Sequence, residues 1–166
     1  MEIRKFRDLF LAELQELLSA EQQLCNVLLR MAGAASHPDL KRALIHHRAE
    51  TETQAARLET ILLKHGANPG AHVDQAMRAL IAETMKMLAM LKSDNLRDAG
   101  LIASAQRIEH YEIAAYGTLC ALAKQLGYRE ALALLKETLA EEKSTDEKLT
   151  MLAEGGGNQR AAREAA

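Results

Sequence analysis

The sequence predicts an all-α protein, a four-helix bundle of two antiparallel hairpins joined by a helical crossover. Three observations lead there. Apolar residues make up 48% of the chain but aromatics only 3%, so Ala, Leu, Ile and Met carry the apolar share; that mix suits helices better than strands. Only two prolines occur, Pro38 and Pro69, both in stretches that read as loops. Four long segments repeat apolar residues at steps of three and four, the spacing of one helix face. A length of 166 residues suits one domain.

Breakers set the element limits. GAASHPD (33–39) ends a first helix and caps a second, HGANPGAHVD (65–74) ends the second, SDN (93–95) precedes the fourth, and LGY (126–128) stops it. The predicted helices run over 3–33, 38–65, 73–92, 95–127 and 128–154. The bundle domain is read as residues 1–154, and the Gly-rich polar stretch 155–166 as a flexible tail. The seams are Phe10, Leu14, Leu17, Glu21, Leu24, Leu28, Met31 on the first helix and Leu40, Leu44, His47, Thr51, Gln54, Leu58, Ile61 on the second. The fourth carries Ile102, Ala105, Glu109, Glu112, Tyr116, Leu119, and the fifth Leu135, Thr138, Glu142, Thr145, Leu149, Leu152. Short loops make hairpins of the first and second helices and of the fourth and fifth, and the long connection carries the short third helix.

Composition excludes several classes. Net charge is −2 with no basic face, which argues against a nucleic-acid partner. No apolar run approaches the ~20 residues of a membrane span, and MEIRKFRDLF lacks the apolar core of a signal peptide. Cys25 and Cys120 form no CxxC pair, so the expected setting is the reduced cytoplasm.

Every seam is interrupted near its middle by an acid: Glu21, the Glu109/Glu112 pair, Glu142, and Glu50 beside the second seam. Glu21 and Glu50 are equidistant from the first turn, and Glu112 and Glu142 from Gly127 in the last. At ~1.5 Å per residue, both pairs sit roughly 22 Å from their turns. Within each hairpin the acids therefore face each other at one level, with Glu109 about one turn away on the same face. Glu21 to Glu50 spans 29 positions and Glu112 to Glu142 spans 30, so the hairpins read as degenerate repeats.

Five core carboxylates cannot remain bare anions. One isolated buried charge costs more than a domain's whole stability of about 5–15 kcal/mol. The seams offer no Arg or Lys at this level, and sharing protons leaves acceptors unpaired. Two metal ions bridged by carboxylates resolve charge and geometry together.

This layout resembles the ferritin-like di-iron carboxylate proteins, which place Glu and Glu-x-x-His motifs on facing helices. Glu109-x-x-Glu112 is similar to the third-helix pair of rubrerythrins. More closely, LSAEQQL, RIEHYEIAAYGTL and ETLAEEKSTDEKL resemble the bacterial YciE/YciF family of ferritin-like, stress-associated proteins, over residues 5 to 154. The resemblance implies a homodimer and a metal site, but no defined reaction. The sequence also departs from the ferritin-like pattern. Thr53 and Thr145 stand where a His should follow the acids of the second and last helices. His47, three before Glu50, takes the imidazole's place; Asp146, four after Glu142, fills the last-helix place, with Gln54 its counterpart on the second helix. The expected ligands are thus Glu21, Glu50, Glu109, Glu112, Glu142, His47 and Asp146, with Tyr116, Gln54 and Thr145 around them. Such an oxygen-rich shell suits two iron ions, or manganese, better than zinc or copper.

Other polar and soft residues read more plainly. Tyr116 is a core tyrosine with a satisfied hydroxyl, His110 points outward, and Met77, Met85, Met87 and Met90 on the crossover are adaptable core or interface. Two functions compete. One is a di-iron protein that oxidises Fe(II) or reduces peroxide with an external electron donor. The other is a non-catalytic dimeric stress-response bundle with a structural or vestigial metal site. A weaker third, an adaptor docking through the crossover, expects an exposed apolar patch on residues 73–92.

Overall fold

In the computed structural model, which describes residues 2–164, the first four helices begin where the sequence supplies partners for backbone N–H groups at their starts. Helix α1 (Phe6–Ala34) starts where the Asp8 carboxylate accepts from the backbone N–H of Lys5 (3.0 Å) and Arg4 (3.2 Å). Helix α2 (Pro38–Lys64) has Pro38 in its first turn, where a missing N–H costs nothing. Asp98, from far along the chain, accepts from Ser36 N (2.8 Å) and His37 N (2.9 Å) and ties that start down. Asp74 caps α3 (Gln75–Met90) through Met77 N at 2.7 Å, and Ser93 caps α4 (Asp94–Leu126) through Leu96 N at 3.3 Å. Gly127 closes α4 at φ 72°, the left-handed geometry that glycine adopts without a side-chain clash, and α5 (Arg129–Leu152) follows at once.

Helix α1 packs on α2 and α4, and α5 packs on α4 and α2, giving a bundle with the cyclic order α1, α2, α5, α4. Neighbours run antiparallel. Phe10 at the start of α1 meets Tyr128 beyond the end of α4 (ring centroids 5.5 Å), while Asp98 at the start of α4 meets the α1–α2 turn. The link from the end of α2 to the start of α4 therefore travels the length of the bundle. Helix α3 makes that passage along α1 and α4, with Met77 and Thr84 facing in. No strand occurs among the described residues.

The expected all-α bundle with a helical crossover is what forms. Every seam residue named above is buried except Leu152, which is half-buried. Helix α3 is shorter than expected because the caps at Asp74 and Leu91 trim it. The stretch expected as a structureless tail differs more. A π-helical turn, Ala153–Gly157, leads into a short helix α6, Asn158–Glu164, with Gly157 and Ala161 buried. A Cβ on Gly157 would meet the Leu152 carbonyl at 2.8 Å, so the glycine allows a close fold-back that its neighbours' polarity conceals. Residues 165–166 lie outside the described residues. The adaptor reading expects an apolar patch on 73–92, but the strongly exposed large apolar residues there, Val73 and Met90, stand at opposite ends of the segment.

Candidate metal centre

Four helices deliver polar side chains to the middle of this apolar interior. Helix α1 brings Glu21, α2 His47, α4 Glu109 and Glu112, and α5 Glu142, and all five are almost wholly buried. His47, Glu109, Glu112 and Glu142 each offer a ligand atom, and these four atoms lie within 4.8 Å of one another. His47 Nε2 is 2.9 Å from Glu109 Oε1. That pair lacks the alignment of a hydrogen bond, however, and neither atom has another partner. With the carboxylates ionised, no hydrogen bond satisfies either oxygen of Glu109, Glu112 or Glu142, Oε2 of Glu21 or Glu50, or either ring nitrogen of His47; once protonated, Glu109 and Glu142 can hydrogen-bond to each other.

The electrostatic consequence is uniform. Burial, reinforced by the Glu109 charge, pushes Glu142 up to about 9. Burial pushes Glu109 up to about 8. Glu112 is raised well above the ordinary carboxylate value by burial and then by Glu21 and Glu142, and Glu21 by burial and then by Glu142. Without a cation, the cluster therefore holds protons at neutral pH.

Around the four-residue set, the other expected residues divide. Glu21 stands beside it, its Oε1 accepting the Tyr116 O–H. Burial and the Glu21 charge hold the Tyr116 phenol well above its usual pKa, so it stays a neutral donor. Glu50 lies at the edge, one oxygen buried and unpaired, the other 3.2 Å from His46 Nε2. Its charge acts on both Glu109 and Glu142. Asp146 lies outside the four-residue set and faces His110 Nε2 (3.1 Å) and Gln106 Nε2 (3.5 Å) at the α4–α5 surface, although its charge, like that of Glu50, acts on Glu109. Gln54 donates to Glu141 Oε2 (3.1 Å) and leaves its own oxygen buried and unpaired, and Thr145 is buried beside the His47 and Glu50 side chains.

Arg57 is the feature that the seam pattern missed. It lies one turn beyond Gln54 and binds Glu141 (2.6 Å), Glu137 (2.7 Å) and the Thr138 hydroxyl (3.2 Å). The height count that pairs the core acids puts Arg57 level with Leu135, short of Glu137 and Glu141, so only the reach of its long side chain makes these pairs. Its charge is spent on those acids. Among the described residues, no Arg or Lys forms an ion pair with the cluster carboxylates. Three carboxylates and one imidazole, buried together without partners, fit a cation with a preference for oxygen donors, and Glu21 and Glu50 flank them to complete a larger shell.

Comparison with known proteins agrees on both chain and fold. Residues 5–162 match the family model described as Domain of unknown function (DUF892). The chain is 43% identical over 162 residues to Protein YciF of Escherichia coli (strain K12), covering 97% of this chain and 98% of that one. The crystal structure of the E. coli stress protein YciF superposes with a TM-score of 0.89 at 43% identity, over 94% of this chain and 99% of its own. YcfI of Rhodopseudomonas palustris superposes with a TM-score of 0.87 at 36% identity, over 90% of this chain and 95% of its own. Among the described residues, no helix is long and apolar enough to cross a membrane.

Proposed function

The chain belongs to the DUF892 family, and we propose that it is a ferritin-like carboxylate protein whose buried cluster holds two iron or manganese ions per chain. The observation that carries this reading is the convergence of unpaired donors. With their carboxylates ionised, the six oxygens of Glu109, Glu112 and Glu142 and both nitrogens of His47 are buried with no hydrogen bond. A folded interior leaves few such groups without a partner outside itself. Glu109, Glu112, Glu142 and His47 would hold the ions, with Glu21 and Glu50 completing the shell.

A bound pair of such ions supplies redox chemistry toward dioxygen or peroxide, which makes Fe(II) oxidation or peroxide reduction the reaction class we favour. The chain's own groups set the conditions. Tyr116 holds Glu21 in place by donating its O–H. Apolar layers above and below, from Leu24 and Leu28 to Leu14 and Leu58, keep bulk water out. In the metal-free state Glu109 and Glu142 keep protons on their carboxyls, and cation binding must displace them. No CxxC pair is present to carry electrons, so turnover would need an external donor. A cytoplasmic setting and a homodimer belong to the same reading; the free, half-buried Cys25 and Cys120 suit a reducing compartment.

The test is Fe(II) oxidation by peroxide, under anaerobic loading, for the wild type and Glu112→Ala. The wild type is expected to oxidise bound Fe(II) faster than free Fe(II) in buffer, and the variant to match buffer while keeping its helical circular dichroism. Equal rates for wild type and buffer would refute the catalytic reading. With metal still bound, they would favour a structural centre in a non-catalytic bundle.

A further inference from the structure

The geometry points to a loading route for metal ions between α2 and α5, with the exposed His46 as its outer ligand and Glu50 as the carrier to the buried cluster. This rests on the metal-centre reading above and adds how that centre is filled.

A cleft opens on this face, lined by His46, His47, Glu50, Thr145 and Lys148 among others. Its inner space is about 10 Å³, room for roughly one water molecule. A hydrated ion does not fit such a passage, so an ion crossing it must exchange its waters for protein ligands on the way. Those ligands stand in order. The His46 side chain is 63% exposed, and its Nε2 lies 3.2 Å from Glu50 Oε1. The Glu50 side chain is 21% exposed. Its other oxygen is buried and has no partner. His47 lines the same cleft, is 2% exposed, leaves both ring nitrogens unpaired and belongs to the four-residue cluster.

The sequence places these three groups on adjacent turns. His46 is four residues before Glu50 and His47 three before it, so both imidazoles neighbour one carboxylate on the α2 surface. Glu50 can bind with one oxygen on the outer side and with the other on the inner side. An ion captured by His46 and Glu50 passes to Glu50 and His47, and from there to Glu109, Glu112 and Glu142. The other exposed histidine at this level differs: His110 faces Asp146, which is also bonded to Gln106, on the far side of α5.

The experiment follows Mn(II) uptake by full-length metal-free protein, through loss of the free-ion electron paramagnetic resonance signal with time. His46→Ala is expected to slow uptake about tenfold, the scale on which groups just outside a metal site act, with the final stoichiometry unchanged. Glu50→Gln is expected to slow it at least as much, while His110→Ala keeps the wild-type rate. Lys148→Ala removes a cation from the rim and is expected to load as fast as wild type or faster. Full uptake at the wild-type rate by both His46→Ala and Glu50→Gln would overturn the route and leave the centre standing. Equal slowing by His46→Ala and by either His110→Ala or Lys148→Ala would also overturn it. No Mn(II) uptake by the wild type would overturn the centre and the route together.

Discussion

The end of the bundle near Phe10 and its middle near Glu112 are built from the same helices, packed the same way and buried to the same degree, yet they obey opposite energetics. At the end, Phe10, Leu14, Leu58, Leu62, Leu119 and Leu135 fill the interior. Each Å² of apolar surface removed from water stabilises that layer by about 25 cal/mol. In the middle, Glu21, His47, Glu109, Glu112 and Glu142 occupy equivalent inward positions. Burial there opposes folding until the oxygens and nitrogens find partners. One layer is complete with protein atoms alone, and the other is complete only with a proton or a cation. A bundle that needed only stability would have continued the Leu seam through its centre.

The largest expected effect breaks the comparison with acid and base. Glu109 and Glu142 have folded pKa values near 8 and 9 against an ordinary 4.5, so between these limits the folded chain holds protons that the unfolded chain has lost. Stability that protonation of these groups permits is full below about pH 4.5 and is lost as pH rises through 8 and 9. Glu21 and Glu112 act in the same direction. The metal-free melting temperature should therefore fall steadily from pH 5 to pH 9. Metal-loaded protein should show a smaller fall or a rise, because cations displace those protons. A metal-free melting temperature that climbed over this range would contradict the assigned burial.

Next, Leu14→Ala should cost about 2–5 kcal/mol in urea unfolding, since the fully buried layer cannot collapse around the gap. Metal binding by the folded variant should persist. In the middle layer the sign reverses: Glu112→Met should stabilise metal-free protein by about 1–4 kcal/mol while abolishing metal uptake. A loss of metal-free stability in that variant would mean that Glu112 is better partnered than its geometry indicates.

A smaller effect sharpens the contrast at the opposite end. Asp98→Ala leaves the Ser36 and His37 N–H groups without their acceptor and should cost about 1–3 kcal/mol by the same unfolding assay. Metal content should not change. A polar group with both its bonds made is structural, and the variant separates that class from the unpaired acids of the centre.

Much of this was legible because helices convert spacing into direction. Steps of three and four identified the seams, and counting from the first turn and from Gly127 put Glu21 level with Glu50, and Glu112 level with Glu142, within each hairpin. What escaped depends on contacts between distant segments. Asp98 caps a helix that begins some sixty residues earlier, and no local pattern announces it. By spacing, both His47 and Asp146 were ligand candidates, with His47 the stronger of the two. Side-chain direction separates them, since Asp146 meets His110 while His47 faces inward. Helix α6 was concealed by Gly155, Gly156 and Gly157, whose composition reads as loop but whose small size permits the fold-back.

The central claim is that the middle layer is a metal centre, and metal stoichiometry tests it most directly. Protein purified without chelators, and again after anaerobic Fe(II) or Mn(II) loading and desalting, would be analysed by plasma mass spectrometry beside Glu112→Ala. The expected result is about two ions per chain in the wild type, the number that a carboxylate-bridged pair requires, and few or none in the variant. Wild-type protein that remained metal-free after loading would contradict it, and the inward glutamates would then be a protonated network in a structural protein.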